Sequence, residues 1–87
     1  MNTPLSEIKR KNKEAGQYFF DRGNPRVESQ QGDYLVTKSV GEGYAIYKFN
    51  SQNGHIDFVD NPSGEYSWQP YEKKSDAVKY AIKLKNK

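Results

Sequence analysis

One histidine, no cysteine and a scatter of carboxylates bound the chemistry open to this chain. His55 and Asp57 alternate, so on a strand both would face one way, as an acid–base pair or as two ligands of a metal. No third ligand stands close by in sequence, and His55 directly follows Asn53-Gly54, a pair typical of tight turns. It reads as a solvated turn residue. A serine nucleophile would need this same histidine and a third, orienting group, and thiolate catalysis has no residue to work with. Asp57, Asp60 and Glu65 have no sequence surroundings that would drive their pKa values apart, as glycoside chemistry requires. "GNP" at 23–25 and "GEG" at 41–43 are too short to cradle a phosphate and lack the lysine and hydroxyl of a P-loop. The residues predict a non-enzymatic protein with no cofactor and no metal.

Binding chemistry is better represented. The formal net charge is +3, but the charge is unevenly spread. Lys9, Arg10, Lys11 and Lys13 outnumber Glu7 and Glu14 at one end, and Lys73, Lys74, Lys79, Lys83, Lys85 and Lys87 outnumber Asp76 at the other. Residues 15–72 hold Arg22, Arg26, Lys38 and Lys48 against eight carboxylates. An acidic body with basic ends is a polarised molecule, although solvated helix faces and a solubilising tail give the same pattern. The basic ends, through Lys9, Arg10, Lys11, Lys13, Lys73, Lys74, Lys79 and Lys83, are the type for weak, salt-sensitive phosphate contact. Eleven lysines to three arginines suit loose electrostatic contact better than base readout.

The aromatic residues offer the other surface. The chain has seven Tyr, four Phe and one Trp, against few aliphatic side chains, so the core must enlist most of the rings. The polar stretch "NPSGEYSWQPYEKK" at 61–74 carries Tyr66, Trp68 and Tyr71, which either lid an open edge of the core or anchor a protein partner. Asp57, Asp60, Glu65 and Glu72 could add an acidic patch that competes for the DNA-binding arginines of a nuclease.

These groups need elements to hold them. Eighty-seven residues make one domain, read as a basic N-terminal helix or arm over 1–14 and a single small α+β domain over 15–87. Thr3, Pro4 and Gly16 punctuate a helix whose apolar face is only Leu5, Ile8 and Ala15, so it would dock weakly. "RVESQ" at 26–30 and "DYLVTKSV" at 33–40 read as strands about a turn at Gln31-Gly32. "YAIYKF" at 44–49 and "HIDFVD" at 55–60 flank the Asn53-Gly54 hairpin signal. A loop of two or four residues puts Tyr47 and Phe49 on one face with Ile56 and Phe58; a three-residue loop with a bulge would group Tyr44, Ile46, Ile56 and Phe58. The first register is preferred. Ser75 caps a last helix with Ala77, Val78, Ala81 and Ile82 facing inward and Lys79 and Lys83 outward. The fold predicted is α+β, a three- to four-stranded antiparallel sheet with a C-terminal helix packed on one face and room for a short N-terminal helix.

These residues also carry a likeness. Gly16, Phe19 and Phe20, then Tyr34, Val36 and Thr37, then Tyr44 and Ile46, then Phe49, Asn50, Gly54 and Ile56, and finally Ala77 and Ala81 resemble a pattern in small bacteriophage and mobile-element proteins. The likeness spans roughly residues 12–85, but the chain is shorter between Phe20 and Tyr34 and departs from the pattern over 61–73. The resemblance implies a non-enzymatic accessory protein whose partner is a host protein or nucleoprotein complex, some such proteins blocking host defence nucleases in the anti-CRISPR manner. No apolar run approaches the roughly 20 residues of a membrane span, and the N-terminal stretch lacks a signal-peptide core. The expected setting is the cytoplasm of a bacterial host, away from membranes.

Overall fold

The computed structural model describes residues 3–21, 26–38, 43–59 and 71–86. In chain order these form α1 (Leu5–Glu14), β1 (Arg26–Gln31), β2 (Tyr34–Lys38), β3 (Ala45–Phe49), β4 (Ile56–Phe58) and α2 (Lys74–Lys85). The strands make an antiparallel meander in the order β1-β2-β3-β4, with a helix on each face of the sheet. The α+β architecture is as its sequence predicts.

Alternation along the strands divides the core in two. Leu35, Phe49 and Ile56 point to one face and close over Ile8 of α1, with Phe19, Phe20, Val27 and Tyr47 around them. Val36 and Ile46 point to the other face and pack against Ala77 and Ala81 of α2, with Tyr34, Tyr44, Tyr71 and Tyr80 at the margin. Small alanines let α2 lie close to the strands, and its solvent side keeps Lys79 and Lys83.

α1 is better docked than its composition suggests. Leu5, Ile8, Asn12 and Ala15 recur at helical spacing, and Ile8 and Asn12 are both buried. Asn12 fills the place of an apolar residue in this stripe, which is why the apolar count alone underrates the helix. The helix ends in a Schellman motif: Gly16, at φ +81°, donates its N–H to the Lys13 carbonyl, and Gln17 donates to that of Asn12. At the other end the Thr3 carbonyl accepts from Gln30 Nε2 at 2.6 Å instead of Thr3 acting as a cap.

The β3–β4 hairpin takes the preferred register, with Tyr47 opposite Phe58 and Phe49 opposite Ile56. The N–H of Asn50 bonds the His55 carbonyl, which closes a four-residue loop over 51–54. Two turn and cap positions move. Gln31 pairs with Tyr34, so the β1–β2 turn sits at Gly32-Asp33, one residue later than read from sequence. α2 starts at Lys74 with Lys73 as its N-cap and no side-chain capping bond, so Ser75 lies within the first turn. A mutual backbone bridge joins Tyr44, just before β3, to Tyr71, just before α2.

Candidate interaction surfaces

A buried amide network positions the surface on the α1 side. Asn12 Nδ2 donates to the Gly54 carbonyl at 2.9 Å and to Gln17 Oε1 at 2.6 Å, while Asn12 Oδ1 accepts the Phe19 N–H at 2.7 Å. The Gln17 amide reaches the edge strand: Oε1 accepts from the Ile56 N–H at 2.7 Å and Nε2 donates to the Ile56 carbonyl at 3.0 Å. A side chain thereby stands where the peptide of a further strand would stand. The turn after α1 is fixed in position by α1 on one side and by β4 on the other.

That turn places a series of aromatic rings. Phe20 and Phe19 meet edge to face at 5.0 Å, Phe19 meets Tyr47 at 4.7 Å, and Tyr47 meets Phe58 at 5.6 Å. Each contact has the tilted geometry that aromatic quadrupoles favour. Lys9 Nζ lies 5.4 Å from the Phe20 centroid, within cation–π reach. Burial raises the Tyr47 phenol above the usual tyrosine pKa.

Phe58, at one end of this strip, and Tyr18, next to Phe19 in the chain, reach solvent. Phe58 is 39% exposed, because β4 has three residues and forms the sheet edge, so that the ring of Tyr47 on β3 covers it from one side only. Tyr18 is 42% exposed and holds φ +53°, the one non-glycine residue among those described with a positive φ. A bulky residue in the left-handed region costs on the order of 1–2 kcal/mol. The core thus enlists many of the rings, but Tyr18 and Phe58, outside the 61–74 stretch singled out from sequence, are left exposed. Among the described residues, Phe49 is the aromatic side chain that lies fully inside.

Of the protein-binding candidates singled out from sequence, the described ones, Asp57, Tyr71 and Glu72, do not gather at one place. Tyr66, Trp68, Asp60 and Glu65 lie outside the described residues. Tyr71 is engaged inward, bridging Tyr44 by backbone and lying 6.1 Å from the ring of Tyr80, which suits the lid reading better than that of an anchor. Its hydroxyl is buried with no hydrogen-bond partner among the described residues, and burial, followed by the neighbouring Tyr80, pushes its pKa up to about 12. Asp57 pairs across the strands with Lys48, whereas the exposed Glu72 follows Tyr71 at the far end of β3, so these two acids form no joint patch. His55 is exposed in the hairpin turn, and among the described residues no three His, Asp or Glu side chains gather as a metal site would need.

The two basic segments also separate. On α1, Arg10 contacts Glu14 at 2.8 Å and Glu7 at 3.4 Å, and Lys11 lies 3.8 Å from Glu7, leaving Lys13 exposed without an ion pair among the described residues. Lys73, Lys74, Lys79 and Lys83 are exposed at and along α2, on the other face of the sheet. The aromatic strip itself was legible only as the burst "YFF" after Gly16; nothing in the sequence showed that it would meet Tyr47 and Phe58. Compared with protein-family models, curated proteins and solved structures, the chain matches none.

Proposed function

We propose that the chain is a non-catalytic binding module that docks a protein partner through the exposed rings of Tyr18, in the turn after α1, and Phe58, at the end of the aromatic strip. The observation that carries this reading is Tyr18, an exposed tyrosine kept in a strained left-handed conformation where glycine or asparagine would sit without cost. Strain of this kind gathers where a side chain is held for a purpose other than folding. Tyrosine and phenylalanine on a rigid support bury large areas with little loss of side-chain freedom, as interface anchors do. The support here is rigid for a stated reason, since the Asn12 and Gln17 amides fix the turn between helix and sheet. The resemblance to bacteriophage and mobile-element accessory proteins supports a bacterial host protein as partner, with a defence nuclease complex the first class to try.

The test is direct binding. A host protein retained by the wild type would be purified and titrated against Tyr18→Asn, Phe58→Ser and the wild type. Each substitution is expected to weaken binding at least about tenfold, the loss of one anchor residue. Unchanged affinity in both variants, with their folds intact, would remove these rings as the interface.

A further inference from the structure

We infer that the solvent ridge of α2 is a second, separate surface, which takes the phosphate backbone of nucleic acid. The two helices carry similar numbers of cations, but α1 engages all of its own except Lys13. On α1, Arg10 and Lys11 pair with Glu7 and Glu14, and Lys9 stands over the Phe20 ring. At α2, the exposed Lys73, Lys74, Lys79, Lys83 and Lys85 make no ion pair among the described residues, and Glu72 and Asp76 are the acids beside them. Lys79 and Lys83 stand four residues apart on the side opposite the buried Ala77 and Ala81, so they project together into solvent.

The sheet lysines on this side are engaged as Lys9 is, each over a ring and Lys48 also opposite Asp57, which leaves the free charge to α2. Val36 and Ile46 fix which face α2 covers, and alternation puts Lys38, Lys48, Tyr34 and Tyr44 on that same face. Lys38 Nζ lies 5.1 Å from the Tyr44 ring and Lys48 Nζ lies 5.7 Å from the Tyr34 ring. Tyr44 is tied to Tyr71 just before α2 starts, and the Lys85 side chain lies against Gly32 near its end. Cations are therefore present at both ends of a helix roughly 18 Å long as well as along it.

The chemistry of the ridge selects the partner class. Its cations are lysines without arginine or aromatic neighbours on the outer side, whereas protein interfaces draw their anchors from Trp, Tyr and Arg and are depleted in lysine. Ile82, 40% exposed, is a single apolar contact and too little to seat the helix in a lipid surface. Point charges on flexible stems match phosphates without reading sequence. If about four lysines each neutralise one phosphate of a duplex, log K falls with log salt at a slope of about −3.6.

The test is fluorescence anisotropy of the full chain with a labelled DNA duplex of about 20 base pairs, from about 25 to 200 mM salt. Binding is expected to be independent of sequence and to fall with the slope above. Lys79→Glu with Lys83→Glu should weaken it at least about tenfold at low salt, and Lys9→Glu with Lys13→Glu less than about threefold. Should the α2 pair disturb the fold by circular dichroism, Lys79→Gln with Lys83→Gln serves instead, with the slope reduced by about 2. No binding at about 25 mM salt, equal losses from the α1 and α2 pairs, or tighter binding to polyglutamate or to anionic phosphatidylglycerol vesicles than to DNA would each overturn the assignment. Tyr18→Asn and Phe58→Ser should leave DNA binding unchanged, so failure of this surface and failure of the aromatic surface are read separately.

Discussion

The side-chain amide of Gln17 bonds both the N–H and the carbonyl of Ile56, at 2.7 and 3.0 Å, and so occupies the outer edge of β4. Exposed strand edges invite pairing with another chain, and native proteins cover them. Here the cover is one residue, aimed by the Schellman end of α1 and by Asn12. Gln17→Ala is expected to cost about 1–2 kcal/mol in urea unfolding and to increase self-association in light scattering. Asn12→Ala should cost more, about 2–3 kcal/mol, because it leaves the Phe19 N–H and the Gly54 carbonyl without their buried partner. Equal stability of Asn12→Ala and the wild type would mean that water replaces these bonds.

Ile8 decides whether α1 belongs to the domain. It is fully buried against Leu35, Phe49 and Ile56. Ile8→Ala should destabilise the whole chain by about 2–5 kcal/mol in a single cooperative transition. A silent substitution would mean that residues 5–14 behave as a loose arm in solution.

Gly54 and Gly16 separate two costs that are often confounded. Both have positive φ, +76° and +81°. A Cβ on Gly54 would stand 2.8 Å from the Lys11 carbonyl oxygen, whereas one on Gly16 meets nothing within 4 Å. Gly16→Ala is expected to lose about 1 kcal/mol from backbone conformation alone. Gly54→Ala should lose clearly more, roughly 2 kcal/mol or above, since the helix must also move away from the hairpin. Thermal unfolding of the two variants side by side measures the difference.

Alkaline titration probes the tyrosines. The Tyr71 phenol is held up to about 12 by burial and then by Tyr80, and Tyr47 is raised by burial. A folded-state pKa above the unfolded value near 10 means that the native chain holds its proton longer, so this contribution to stability is complete below about pH 10 and is lost as pH rises toward 12. Urea midpoints should therefore fall over that window, and Tyr71→Phe should flatten the fall while costing little at neutral pH. Identical alkaline profiles for the variant and the wild type would show that the phenol is not shielded.

How far the sequence foretold this molecule depends on the residue. The four strands, the register at Asn53-Gly54 and the inward alanines of α2 were legible, because alternation, turn chemistry and helical spacing are local signals. The docking of α1 was not, since its stripe runs through Asn12, and a buried polar residue is recognisable only once its partners at Gly54, Gln17 and Phe19 are in place. Likewise, "KRKNK" at 9–13 looked as basic as the C-terminal lysines until the helix brought Glu7 and Glu14 alongside Arg10. Phe58 looked like core by hydrophobicity, but a three-residue edge strand provides nothing to cover it fully.

The strands separate Ile8 and its neighbours from Ala77 and Ala81 so completely that, among the described residues, no side chain belongs to both groups. Each side of the sheet is thus a closed account of its own contacts, and damage or improvement on one is felt on the other only through the backbone between them. A lineage carrying this fold could remodel what it grips with one face while leaving the opposite face untouched.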